Sequence, residues 1–246
     1  GDRVKVTVPQ LGDTYSVSIW FRNVVPYQER PITGYLFSRG KDRSPEADGD
    51  HLGIGGTSNP KATGRLLFYN GNRLRNSLVG NTILAPNQWH MVTLVRQGDQ
   101  ITVYLDGQTN PEITGAAPPG YDPDESDLFL AGRNDQFANF RGELGGVSLF
   151  NRALTAEEIS QHYRSGMTGS NKPNHQSVTE SALSLFPYSY WPLFKRSPFS
   201  SQIEDLTPQQ NHGQYEGMPS NERVKMTPWR LYCHAILCSN ELLFVD

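Results

Sequence analysis

Residues 87–108 read NQWHMVTLVRQGDQITVYLDGQ, and the fold turns on how they are read. Two runs rich in β-branched and aromatic residues, 91–96 and 101–105, flank Gln97-Gly98-Asp99-Gln100, a short turn with the glycine that a tight hairpin needs. In the first run Val92 and Leu94 alternate with Met91, Thr93 and Val95. In the second, Ile101, Val103 and Leu105 alternate with Thr102 and Tyr104. A period of two predicts paired antiparallel strands with at least one buried face. The apolar residues do not recur at spacings of three and four, so an amphipathic helix is excluded. Asp106-Gly107 turns the chain again.

The same period continues on both sides. Val4, Val6 and Val8 alternate with Lys5 and Thr7 up to Pro9; Val17, Ile19 and Phe21 alternate with Ser16, Ser18 and Trp20. Short strands are predicted at 34–39, 51–56, 65–69, 128–130 and 147–149, with Asn70-Gly71-Asn72 as a hairpin turn. Thr155-Ala156-Glu157-Glu158 is a capping box, Thr155 at the N-cap and Glu158 reaching back to it. The helix it opens should run to about Arg164, stop at Gly166 and lie across the sandwich edge.

The bulk numbers set limits. A chain of 246 residues allows one large all-β domain or two small ones, with enough length to bury a core without staples. A net charge of −3 with no block of like charges argues against nucleic acid or an anionic membrane surface as main partner. No apolar run is long enough for membrane insertion. Nothing at the start reads as a signal peptide, so an export signal is expected outside this stretch. Cys233 and Cys238 could form one small disulfide or remain two thiols, and they fit no metal-finger pattern.

Several motifs in order resemble one family. Trp89-His90, an apolar run, a Gly-centred turn and Val103-Tyr104-Leu105-Asp106-Gly107 resemble the central hairpin of laminin G-like domains, members of the concanavalin A-like lectin/glucanase superfamily. Residues 15–21, YSVSIWF, resemble that family's early strand, whose tryptophan lies in the core. Phe140-Arg141-Gly142-Glu143 and residues 151–159, NRALTAEEI, resemble its closing strand and short helix. The resemblance spans about 2–163. It implies an all-β fold, an antiparallel β-sandwich of jelly-roll type with one short helix towards the C-terminal side, and binding more often than catalysis.

The expected organisation is a sandwich over 1–166, a linker over 167–187 and a displaced segment over 188–246. Residues 190–193, YWPL, and the Asp205-x5-Asn211-x-Gly213 turn resemble the start of a laminin G-like domain, yet here they follow the helix. Either a second repeat is cut short, or the tail supplies strands to its own sandwich, as in a circular permutation, or to a neighbour's in a strand-swapped homo-oligomer. Residues 231–245 are apolar enough for one or two more strands.

No catalytic residue is identified. The superfamily's glycosidases carry Glu-x-Asp-x-x-Glu, which presents two carboxylates about 5 Å apart, and nothing here fits that pattern. Glu157 and Glu158 belong to the capping box, the Gln-Ile-His strand of alginate-lyase relatives is missing, and the six histidines are scattered, with His90 reading as a strand residue. Calcium is the one cofactor expected, because hard cations take carboxylate, amide and carbonyl oxygens from turns. The candidates are Asp48 with Asp50, Asn134 with Asp135, and Asp205 with Asn211, all of which also read as ordinary turn-formers. The family's usual Ile-Asp-Glu is replaced by Leu144-Gly145-Gly146. For a glycan surface, an aromatic beside amides or a guanidinium is sought, which selects Tyr69, Asn70, Asn72, Arg133 and Phe137; Tyr69 and Phe137 read equally as core. The function expected is a non-catalytic, extracytoplasmic binding module for a glycan or an extracellular protein, with or without calcium. A structural module acting through strand exchange and a hydrolase or lyase with an unrecognised site stay open.

Overall fold

The computed structural model describes residues 2–9, 11–40, 49–71, 77–119, 125–167, 172–194 and 200–216. Its strands are β1 (Arg3–Thr7), β2 (Thr14–Asn23), β3 (Ile32–Gly40), β4 (Gly49–Gly55), β5 (Leu66–Tyr69), β6 (Leu78–Val79), β7 (Trp89–Gln97), β8 (Gln100–Leu105), β9 (Ile113–Ala116), β10 (Asp127–Leu130), β11 (Gly142–Phe150), β12 (Ser189–Pro192), β13 (Gln202–Ile203) and β14 (Gly213–Glu216). Two helices, α1 (Ala156–Gly166) and α2 (His175–Ser184), separate β11 from β12.

The hairpin of β7 and β8 closes at the pair Gln97↔Gln100. Gly98 in the turn has φ 56° in open space, so backbone conformation alone selects glycine there. Two antiparallel sheets result, in the orders β13-β14-β1-β10-β3-β4-β5-β6 and β12-β11-β2-β7-β8-β9. Alternation sends Val17, Ile19 and Phe21 of β2 and Val92 and Leu94 of β7 into the space between them, against Val4, Val6, Leu52, Leu66 and Phe68 of the larger sheet.

The opposite parity covers the outer faces. Trp20, Met91, Val95 and Phe150 leave the smaller sheet outward and are buried with Leu154, Ile159 and Val178. Trp20 is thus a core residue, but beneath the helices rather than between the sheets, with its ring stacked on Tyr163 at 5.4 Å. Helix α1 therefore lies over the outward face of the smaller sheet, not across the sandwich edge as expected. Its capping box is formed, Glu158 N donating to Thr155 Oγ1 at 3.2 Å and Thr155 N to Glu158 Oε2 at 2.8 Å. Gly166 is the last helical residue for a packing reason: a Cβ there would stand 2.6 Å from the Trp20 indole.

Two expectations are corrected. The fold has two helices, not one short helix, and the second lies inside the stretch read as a linker. α2 carries little amphipathic signal, since only Val178 and Ala182 are buried; Asn174 starts it by accepting from Ser177 N at 3.0 Å. After α2 the tail adds strands to this same sandwich as far as residue 216. β12 pairs with β11, β14 with β1 and β13 with β14, all within this chain. Trp191, 1% exposed, enters the core between the sheets and donates from Nε1 to Asn211 O at 2.8 Å. Residues 231–245, Cys233 and Cys238 lie outside the described residues.

Candidate functional site

The site grows from two glycines in β11. Gly145 lies against the ring of Phe194, which a Cβ would strike, and a Cβ on Gly146 would stand 2.7 Å from Tyr190 Oη and 2.9 Å from Val178. Glycine inside a strand marks a close approach. Here the departure from the family's Ile-Asp-Glu makes room for the chain after α1. Leu193 N donates to Gly145 O at 2.9 Å, which seats the next residue, Phe194, on the strand. The half-buried Phe194 ring stacks on His175 of α2 at 4.0 Å and 20°, and tilts against Trp89 of β7 at 6.1 Å. The Arg22 guanidinium stands 5.9 Å over Trp89 and pairs with Glu143.

These three rings form one wall of a groove of about 590 Å³. Phe140, Val4 and Tyr215 line its apolar floor, and Asp2, Arg3, Arg141, Glu143 and Lys172 its rim. The volume suits a ligand of a few sugar rings' size. Arg3 is already committed: Nε and Nη2 hold Glu216 at 2.8 and 2.7 Å, and Nη1 donates to Asn134 O at 2.7 Å and to Arg133 O. The arrangement offers flat apolar faces beside hydrogen-bonding groups at an open edge, which is binding chemistry.

The expected calcium ligands serve other ends. Asp50 lies between the sheets, fully buried, with its carboxylate gripped by Arg96 from Nε at 2.5 Å and Nη2 at 2.6 Å; Tyr15 Oη and Asn70 Nδ2 also donate to it. A guanidinium occupies the place a cation would take. Asp205 accepts from the backbone N–H of Tyr190, Thr207 and Asn211 at 2.9 to 3.0 Å, and Asn211 Nδ2 donates to Ser189 Oγ. That pair ties the tail turn to β12. Arg3 donates to the Asn134 carbonyl, and Arg133 Nε donates to Asp135 Oδ1 at 3.0 Å. Asp48 lies outside the described residues. Among the described residues no three His, Cys, Asp or Glu gather as a metal group.

Two of the expected glycan-binding residues, Arg133 and Phe137, do meet, on the outer face of the larger sheet. Arg133 lies between the rings of Tyr35 and Phe137, 5.1 and 5.0 Å from their centroids, and pairs with Asp135. Burial works to raise the Asp135 carboxyl, but the Arg133 fork and Phe137 N–H outweigh it and hold it below the usual range. Burial raises the Tyr35 phenol. Tyr69 joins this group through His51, whose ring lies 6.1 Å from Tyr69 and 5.9 Å from Tyr35. Ala131, Gln136 and Ala138 all take φ between 50° and 61°, and both amide atoms of the buried Asn134 lack a partner. The result is a tight ledge with Phe137 exposed. Asn70 is not part of it: its side chain is buried on Gly49 O and Asp50. Asn72 lies outside the described residues.

A second cleft, about 440 Å³ between α1 and α2, holds His162 with Nδ1 2.9 Å from Ser181 Oγ. Burial pushes this imidazole down to about 4, which leaves it a poor base near neutral pH. No carboxylate among the described residues is bonded to it, so the pair lacks the orienting partner of a hydrolytic triad.

The residues missed by sequence reading are Trp89, Arg141, His175 and Phe194. Trp89 and Arg141 were visible only as strand markers, and the other two sit in the supposed linker and tail. Gly145-Gly146 was the usable signal, because two adjacent strand glycines announce something packed against them.

Comparison with known proteins agrees with this architecture. Residues 1–160 match a laminin G family model of the concanavalin A-like lectin/glucanases superfamily, and the chain belongs to that family. No curated protein matches in sequence. Among solved structures, a candidate carbohydrate binding protein from Bacteroides ovatus is similar at 15% identity and a TM-score of 0.58; the match covers 88% of this chain and 56% of that one. The chain therefore spans little more than half of that neighbour. Coverage of 88% exceeds the family-matched 160 of 246 residues, so the structural likeness reaches into the tail. A heptameric SAP-like pentraxin from Limulus polyphemus is similar at 16% identity, a TM-score of 0.49, and 66% and 75% coverage of the two chains. Domain 4 of an extracellular arabinanase from Geobacillus stearothermophilus, solved with arabinotriose, is similar at 17% identity, a TM-score of 0.45, and 63% and 70% coverage.

Proposed function

We propose that this chain is a non-catalytic glycan-binding module of an exported protein, and that the groove holds the saccharide. The observation that carries the reading is the wall of Trp89, Phe194 and His175, half-buried rings facing open space beside a polar rim. Rings of this kind stack on the C–H faces of sugars, while rim groups take the hydroxyls. The Bacteroides neighbour's assignment supports the same reading. Absence of catalysis is supported by the groove's carboxylates: Glu143 is closed onto Arg22, and only Asp2 shares the rim with it. The reading needs no calcium, and the carboxylates of Asp50 and Asp205 are engaged by a guanidinium and by backbone N–H groups.

A glycan panel read by calorimetry tests this. Trp89→Ala and Phe194→Ala should each lower affinity tenfold or more while the protein stays folded by circular dichroism, and Phe137→Ala on the ledge should leave affinity alone. Chelator should change nothing. Binding lost with Phe137 rather than Trp89 would move the site to the ledge. New reducing ends in the same mixtures would make the protein an enzyme. Fractionation of cells producing the full-length protein checks its export.

A further inference from the structure

Resting on the groove as the glycan site, we infer that its ligand is a saccharide carrying a carboxylate, gripped through Arg141. Four charged side chains in and beside the groove are closed on one another: Arg3 on Glu216, and Arg22 on Glu143. Arg141 is different. It lines the groove, is exposed, and its guanidinium has no hydrogen bond or ion pair among the described residues. A like charge stands near it. Arg30 is held below its ordinary value first by burial and then by the charge of Arg141. Lys172 adds positive charge to the same rim, where the acids are Asp2 and the already paired Glu143. The groove thus holds one uncommitted planar fork among lining charges of both signs.

The occupant follows from that chemistry. A guanidinium presents two parallel N–H groups that match the two oxygens of a carboxylate. The rings of Trp89 and Phe194 supply a face for the sugar that carries it. A uronic or other acidic sugar meets both demands in one residue. A neutral sugar would leave Arg141 facing only water, and a free small anion would leave the aromatic wall unused.

Calorimetry on the full chain separates these cases. The probes are oligogalacturonides, oligoguluronates and sialyllactose, each against its own methyl ester, which removes the charge and keeps the sugar. At least one acid should bind roughly ten- to a hundredfold more tightly than its ester at low salt. Arg141→Gln should remove that preference and flatten the salt dependence while leaving the ester's affinity in place. Arg141→Lys, which keeps charge but not the fork, should restore the preference only in part. Equal binding of acid and ester, or a preference that survives Arg141→Gln, overturns the inference and leaves the groove standing if Trp89→Ala still abolishes binding. Neutral glycans bound through Trp89 while every acid is refused do the same. No binding by any acid, ester or neutral glycan removes the groove reading with it.

Discussion

Two regions of this molecule set an arginine among aromatic rings, and they are built to opposite ends. On the outer face of the larger sheet, Arg133 lies between Tyr35 and Phe137 and is closed onto Asp135, and the loop around it is held by Arg3. In the groove, Arg141 stands near Trp89 and Phe194 with no partner among the described residues. Composition does not distinguish the two. Satisfaction of the guanidinium does, since a buried arginine must be paired to be tolerated, whereas an exposed one can keep its hydrogen-bonding capacity for something that arrives. The ledge is therefore architecture with an exposed ring, and the groove is the site we propose.

The contrast predicts an order of effects on stability. The largest belongs to the most completely paired arginine. Asp50→Ala leaves Arg96 buried and uncompensated between the sheets, and should cost about 3–5 kcal/mol, read as a shift of the urea midpoint at unchanged slope. A loss under 1 kcal/mol would show that closure of a guanidinium is no guide here. Next comes the helical layer behind the groove. The unfolded chain binds a proton at His162 near the ordinary histidine value of 6.5, the folded chain only near 4. Between these values the unfolded state holds more protons, so stability falls as pH falls, by up to about 3 kcal/mol, and levels off below 4. His162→Gln should flatten that window in thermal scans from pH 7 to pH 4. An unchanged slope would place the titration elsewhere.

Smaller effects sharpen the comparison directly. Asp135→Ala strips the ledge arginine of its carboxylate and should cost about 1–3 kcal/mol. Arg141→Gln should change stability by less than about 0.5 kcal/mol, because it removes no hydrogen bond or ion pair of the folded state among the described residues. Equal costs for these two, measured in one denaturant series, would erase the distinction between ledge and groove.

Much of the fold was legible. The hairpin of β7 and β8, the strand period on either side and the capping box of α1 are written locally, in alternation, turn glycines and a Thr-Glu pair three residues apart. α2 was not legible, because its amphipathic face is only two residues wide. The acidic turns misled. Asp50 and Asp205 look alike in sequence, as carboxylates near glycine or asparagine. Only the partners that arrive from Arg96, 46 residues away, and from Tyr190, 15 residues away, make them structural.

What the sequence determined by itself is the β-sandwich and its family, since hydrophobic period and turn chemistry act over a few neighbouring residues. Only the tertiary structure decided where ligand chemistry is available. The wall of the groove joins residues 89, 175 and 194, and the rim residue 141, across segments that nothing local connects. Whether a guanidinium is committed or open depends on which distant groups folding brings within hydrogen-bond reach, and a charge in sequence carries no record of that.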